Sequence, residues 1–193
     1  MKNIAIFASG SGTNAENIIK YFSTQKSAKV TIVLSNKRHA MVLNRAENYG
    51  VETLFFERHD FYDTRKILDY LIEKRIDFIV LAGFLWLVPE NIIEKYKGRI
   101  INIHPALLPS YGGKGMYGEI VHKAVIENGE KESGITIHYV NNHYDEGDII
   151  FQAKCIVEPG DDHESLAKKV HALEYAHFPR VIEELLRKLP EFS

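Results

Sequence analysis

Five short runs rich in β-branched and other apolar residues recur along the first hundred positions: Ile4 to Ala8, Val30 to Leu34, Thr53 to Phe56, Phe78 to Ala82 and Ile100 to Ile103. Between them, Asn14 to Phe22, Met41 to Tyr49, Asp63 to Lys74 and Pro89 to Tyr96 carry apolar residues at helical spacing. Continuous apolar strands that alternate with helices need cover on both faces, so the pattern predicts a doubly wound α/β sheet, mostly parallel, with helices on both sides.

Beyond Ile103 the pattern changes. His104 to Gly118 holds two prolines, a cluster of glycines and little periodicity, which reads as a long loop; ordered loops of that length are often functional. No element is assigned from there to Ile135. Ile135, Ile137 and Tyr139 then alternate with Thr136, His138 and Val140, and a run from Ile149 to Val157 follows the turn-like Asp145-Glu146-Gly147-Asp148. These strands are expected to be partly antiparallel, making the sheet mixed. Asp161 with Glu164 resembles a capping box, and Leu166, Val170, Leu173 and Ala176 form the stripe of a last helix that Pro179 should kink or break. The whole chain, 1–193, reads as one domain, without repeats or linkers.

Composition narrows the function classes. A formal charge of -2 gives no general attraction to nucleic acid or to an anionic membrane. The single cysteine, Cys155, lies in an apolar run and cannot form an internal disulfide. No stretch approaches the ~18 apolar residues of a membrane span, and the chain enters its first strand at once, so a cytoplasmic protein is expected. Nine histidines invite a metal, yet no H-E-x-x-H pair and no paired cysteines occur, and His171 with His177 is not a same-face helical spacing. The expectation is no metal, with His39, His59, His122, His163 and His177 at the surface or partly buried.

Three constellations carry chemistry. Ser9-Gly10-Ser11-Gly12-Thr13-Asn14 joins a strand to a helix, where tight glycine turns and unpaired helix amides suit a phosphate. The absence of a third glycine in G-x-G-x-x-G, and of a lysine after Gly12, favours one phosphate over a pyrophosphate. Asn102-Ile103-His104-Pro105 closes a strand, and alternation puts Asn102 and His104 on one side, where amide and imidazolium can both donate to an oxygen gaining charge. The polar turn His143 to Asp148 offers Asp145 as a partner that would favour the protonated form of His104.

Taken together, S-G-S-G-T-N, V-L-A-G-F-L at Val80 to Leu85, N-I-H-P-A-L-L-P at Asn102 to Pro109, G-I-T-I-H-Y-V at Gly134 to Val140 and D-E-G-D-I-I-F-Q at Asp145 to Gln152 resemble the glycinamide ribonucleotide formyltransferases over nearly the whole chain. The resemblance implies a Rossmann-like formyltransferase fold in a single domain, with 1–100 as the phosphate-binding half and 101–193 as the catalytic and folate-binding half. It implies transfer of a formyl group from 10-formyltetrahydrofolate to the ribonucleotide amine in de novo purine synthesis, with small molecules as the only partners and room for a homodimer. Asn102, His104 and Asp145 would be catalytic. The substrate phosphate would meet Gly12, Thr13 and Asn14, and the substrate's amine end Glu174. The folate would meet Arg65, Leu81, Phe84, Leu87, Val88, Val140 and Tyr144. Two positions depart from the pattern: Trp86 stands where the family has an arginine beside the pteridine, and Tyr111 to Gly118 is longer and richer in glycine than the usual P-G-L-H loop. The tRNA formyltransferases add a basic carboxyl-terminal domain, deformylases an amino-terminal one, and amino-sugar formyltransferases lack the phosphate turn; a non-enzymatic nucleotide-binding module is the alternative from another class.

Overall fold

In the computed structural model, which describes residues 1–189, the elements in chain order are β1 (Lys2–Phe7), α1 (Thr13–Thr24), β2 (Ala28–Ser35), α2 (Met41–Glu47), β3 (Glu52–Phe55), α3 (Arg58–Tyr62), α4 (Lys66–Glu73), β4 (Phe78–Leu81), α5 (Glu90–Lys95), β5 (Ile100–His104), α6 (Glu119–Glu127), β6 (Glu132–Tyr139), β7 (Ile149–Ile156) and α7 (His163–Lys188). The strands form one sheet in the order β3-β2-β1-β4-β5-β6-β7. The first five run parallel, and β6 and β7 are antiparallel to their neighbours.

Alternation along the strands feeds two cores. Ile4, Ile6, Val80, Ile101, Ile135 and Ile137 face α1, α2, α6 and α7; Ala5, Phe7, Ile79, Leu81 and Ile100 face α3, α4 and α5. The expected doubly wound mixed sheet is therefore present. After β1 the chain builds outward to one side through β2 and β3, then returns to the other side of β1 with β4. The carboxyl ends of β1 and β4 thus open at a topological switch point, where clefts of open α/β sheets form.

Four details differ from expectation. The segment expected as one helix from Asp63 is α4 from Lys66, preceded by a separate short helix, α3, because Asp63 ends α3 as its C-cap. The chain after Gly118 forms α6, whose Val121 and Val125 are buried at helical spacing. The helix cap is Asp162 with Ser165, one residue on from the expected pair; Asp161 instead accepts from the Glu158 amide and pairs with Lys169. Pro179 does not break α7, which continues through it to Lys188. A proline withholds the amide that the carbonyl four residues back would accept, here Tyr175, and the Asn17 side chain on α1 donates to that carbonyl at 3.0 Å instead. No helix of the described residues is long and apolar enough to cross a membrane.

Candidate active site

The turn after β1 is braced from several sides. Ser9 is buried; its amide donates to the Gly83 carbonyl at 3.0 Å and its hydroxyl to Asn36 at 2.7 Å, while the Leu85 amide donates to the Ser9 hydroxyl. Arg45 donates through Nε to the Ser11 carbonyl at 2.9 Å and pairs with Glu16. Gly12 caps α1 with φ 77°, and a Cβ there would stand 2.4 Å from the Val42 Cβ. Only glycine meets both the left-handed backbone and this close approach. No side chain caps α1, and its first residues, Thr13 and Asn14, line the cleft, which sets the positive end of the helix dipole there.

A cavity of about 630 Å³ runs from this turn to the end of β5. Gly12, Thr13, Asn14 and Glu174 line one end, and Asn102, His104 and Asp145 the other. Glu174 is buried on α7, lines the same cavity as the trio and accepts a hydrogen bond from the Asn14 side chain at 2.8 Å. Burial pushes its carboxyl up from the ordinary range, against the Asn14 hydrogen bond, which favours the ionised form.

The trio does converge. The antiparallel register of β5 and β6 sets Asn102 opposite His138 and His104 opposite Thr136, all on one sheet face. Asn102 Nδ2 donates to Asp145 Oδ1 at 3.3 Å and approaches His138 Nε2 at 3.1 Å. His138 Nδ1 donates to the Tyr139 carbonyl at 2.8 Å, which orients the ring with Nε2 toward Asn102 and Asp145. Asp145 Oδ2 takes the Gly113 amide at 2.9 Å and faces His104 Nδ1 at 3.5 Å; His104 Nε2 donates to the Tyr111 carbonyl at 2.7 Å.

Burial raises the Asp145 carboxyl, but His138, His104 and the Gly113 amide together hold it below its ordinary value. His104 is a correction to the expectation that Asp145 keeps it protonated. Burial of the imidazole lowers its pKa by more than Asp145 and the Tyr111 carbonyl raise it, so the resting ring is a neutral base. His138 is the residue sequence reasoning missed. His122, expected at the surface or partly buried, is fully buried and lines the cavity, its pKa pushed down to about 4 chiefly by burial, and its Nδ1 has no hydrogen-bond partner among the described residues.

A second, narrower cleft of about 50 Å³ adjoins the first. Leu81, Phe84, Leu87, Val88, Val140 and Tyr144 line it, together with Trp86. Phe84, Asn102, Tyr144 and Asp145 belong to both linings. Asn102, His138, His143 and Asp145 complete the lining, so the cleft offers apolar contact beside hydrogen-bonding groups, as a fused heteroaromatic ring system needs. Trp86 packs edgewise on Phe56 and tilted on Phe61 and Tyr62, with the Arg58 guanidinium 5.6 Å from its ring centre, so it is both core and cleft wall. Arg65 lies outside both linings, mostly exposed and paired with Asp69 at 3.3 Å. Among the described residues no group of three or more His, Cys, Asp or Glu is placed to hold a metal ion.

Comparison with known proteins adds a family and near relatives. The sequence model described as formyl transferase matches residues 2–182. A chloroplastic phosphoribosylglycinamide formyltransferase of Arabidopsis thaliana is 38% identical over 187 residues, covering 94% of this chain and 64% of the plant protein. A phosphoribosylglycinamide formyltransferase of Haemophilus influenzae is 37% identical over 188 residues, covering 95% of this chain and 86% of its own. The crystal structure of phosphoribosylglycinamide formyltransferase from Anaplasma phagocytophilum superposes with a TM-score of 0.88 at 34% identity, covering 97% of this chain and 87% of that one. The chain thus spans 64% of the plant relative's length.

Proposed function

This chain belongs to the formyl transferase family, and from that premise we propose that it transfers the formyl group of 10-formyltetrahydrofolate to the amine of glycinamide ribonucleotide, a step of de novo purine synthesis. One observation carries the reading: two clefts meet at Asn102 and Asp145, one reaching a phosphate-suited turn and the other setting Leu81, Phe84, Leu87 and Val88 beside hydrogen-bonding side chains. Two substrates bound in such clefts would present their reacting ends to the same side chains, which is what direct group transfer requires.

The folate donor supplies an activated formyl carbon; the rest falls to the chain's own residues. The amides of Gly12, Thr13 and Asn14 would hold the phosphate, and Glu174, beside Asn14, would accept from sugar hydroxyls. Leu81, Phe84, Leu87, Val88, Val140 and Tyr144 would contact the pteridine, with Trp86 extending that wall; Arg65 would act only on a part of the folate that leaves the cleft. His104 Nδ1, a resting base, takes the proton of the attacking amine as nitrogen bonds to the formyl carbon. The imidazolium so formed has acceptors on both sides, Asp145 Oδ2 and the Tyr111 carbonyl. Asn102 Nδ2 redirects an N–H from Asp145, its longer bond, to the oxygen that has gained charge. When the oxygen's electron pair returns and the bond from the formyl carbon to the folate nitrogen breaks, His104 gives its proton to that nitrogen.

The test is formyl transfer from 10-formyltetrahydrofolate with glycinamide ribonucleotide, methionyl-tRNA and an amino-sugar nucleotide as parallel acceptors. Turnover with the first and not the other two is expected; turnover only with another acceptor, or with none, would overturn the reading.

A further inference from the structure

The large cavity has a charge problem if a sugar phosphate is to enter it. Asp145 is held ionised, while burial keeps His104 and His122 toward their neutral forms, so none of the three offers standing positive charge at neutral pH. Of all the residues lining the cavity, Lys114 alone is a lysine or arginine. The cation that braces the turn and the one on α1 are already engaged: Arg45 holds the Ser11 carbonyl and Glu16, and Lys20 pairs with Glu16 at 2.7 Å. Lys114 has no hydrogen-bond or ion-pair partner among the described residues and is exposed at the cavity rim.

Its backbone, by contrast, is tied to the reacting end. The neighbouring Gly113 amide donates to Asp145, and the Tyr111 carbonyl accepts from His104. The loop from Tyr111 to Gly118, the segment where this chain departs from the usual pattern, therefore carries an unspent ammonium into a cavity that otherwise lacks one.

We propose that Lys114 is the cation that pairs with the acceptor's phosphate, adding a full charge to the site begun by the amides of Gly12 to Asn14 in the same cavity, and so makes acceptor binding depend on that phosphate. The assignment rests on the sugar-phosphate reading of this cavity. An ammonium so placed adds charge that the helix dipole, about half an elementary charge, leaves short of a phosphate dianion. It can also hydrogen-bond to a phosphate oxygen, a charge-assisted contact that exceeds a neutral one.

The experiment titrates the intact protein and its Lys114→Met and Lys114→Arg variants with ribose 5-phosphate and with ribose, at low and high salt, by calorimetry. Replacing Lys114 by Met should weaken ribose 5-phosphate binding about 10-fold at low salt and flatten its salt dependence, with ribose unaffected and Lys114→Arg within a few-fold of the parent. Equal ribose 5-phosphate affinity in a folded Lys114→Met protein would overturn the role of Lys114 alone. If the parent protein itself does not distinguish ribose 5-phosphate from ribose, the sugar-phosphate reading falls and this assignment with it. A parallel titration with 10-formyltetrahydrofolate checks the other anion: weakening there, without loss of ribose 5-phosphate binding, would assign the lysine to the folate's carboxylates and overturn the proposal.

Discussion

Asp145 occupies a left-handed backbone conformation, φ 57°, which costs most residues roughly 1–2 kcal/mol but is tolerated better by Asp and Asn. The following turn is tight as well: a Cβ on Gly147 would stand 1.7 Å from the Tyr139 carbonyl oxygen, so this D-x-G needs its glycine to fold back on β6. That geometry delivers a carboxylate with His104 and His138 each 3.5 Å from one of its oxygens. Asp145→Asn keeps the shape and the backbone preference while removing the charge. Turnover with both substrates saturating should fall by roughly 100-fold or more. Because the His104 pKa is already lowered by burial and Asp145 is what opposes that, the variant should lower it further, moving the acid limb of the pH-rate profile to lower pH. NMR titration of His104 together with the pH-rate profile checks both; an unmoved His104 pKa would show that Asp145 does not act through that ring.

At the scale of elements, α7 gathers several roles. Its stripe closes one core, its Glu174 reaches the cavity, and its Pro179 is bridged by Asn17 from α1. If the Asn17 side chain stands in for the missing proline amide, the two positions are coupled. Asn17→Ala should cost about 1 kcal/mol in the parent chain and clearly less in a Pro179→Ala background, where the alanine amide can take the Tyr175 carbonyl. A double-mutant cycle measured by urea unfolding decides it, and equal costs in the two backgrounds would disprove the coupling. The turn after β1 teaches a related lesson. Bulk at Gly12 would collide with Val42 on α2, so its variants would report on folding before they reported on phosphate.

The whole molecule sets the electrostatics of its cavity by burying one end of it. His122 on α6 is 2% exposed and lies with its ring 6.4 Å from that of His171 on α7. Its pKa of about 4 means the folded protein refuses a proton that the unfolded chain accepts near its ordinary value of about 6.5. Stability is therefore full above that ordinary value and declines as pH falls toward 4, by up to about 3 kcal/mol from this group. Urea unfolding from pH 7 to pH 4 should show a steeper loss for the parent than for His122→Gln. Parallel curves would mean that His122 titrates normally in the fold.

The division between sequence and tertiary structure follows from the range of the interactions involved. Periodicity and punctuation are local, so the five parallel strands, most of the helices, the phosphate-suited turn and the shared face of Asn102 and His104 were legible from the chain alone. The apolar spacing of Val121 and Val125 would have revealed α6, but the glycine-rich loop before it masked the signal. Register is not local. His138 meets Asn102 across 36 positions only because β6 pairs antiparallel with β5 in one particular alignment, and alternation within β6 cannot choose that alignment. Nor can spacing reveal burial. The sequence placed a carboxylate near His104 and so favoured a charged ring, whereas the packed fold removes that ring from water, and the desolvation it imposes outweighs the carboxylate's pull. Pro179 followed the same rule: it lies in a helix whose Phe178, Val181, Ile182 and Leu186 are buried in the core, and the Tyr175 carbonyl accepts from Asn17 on a helix far away in the chain.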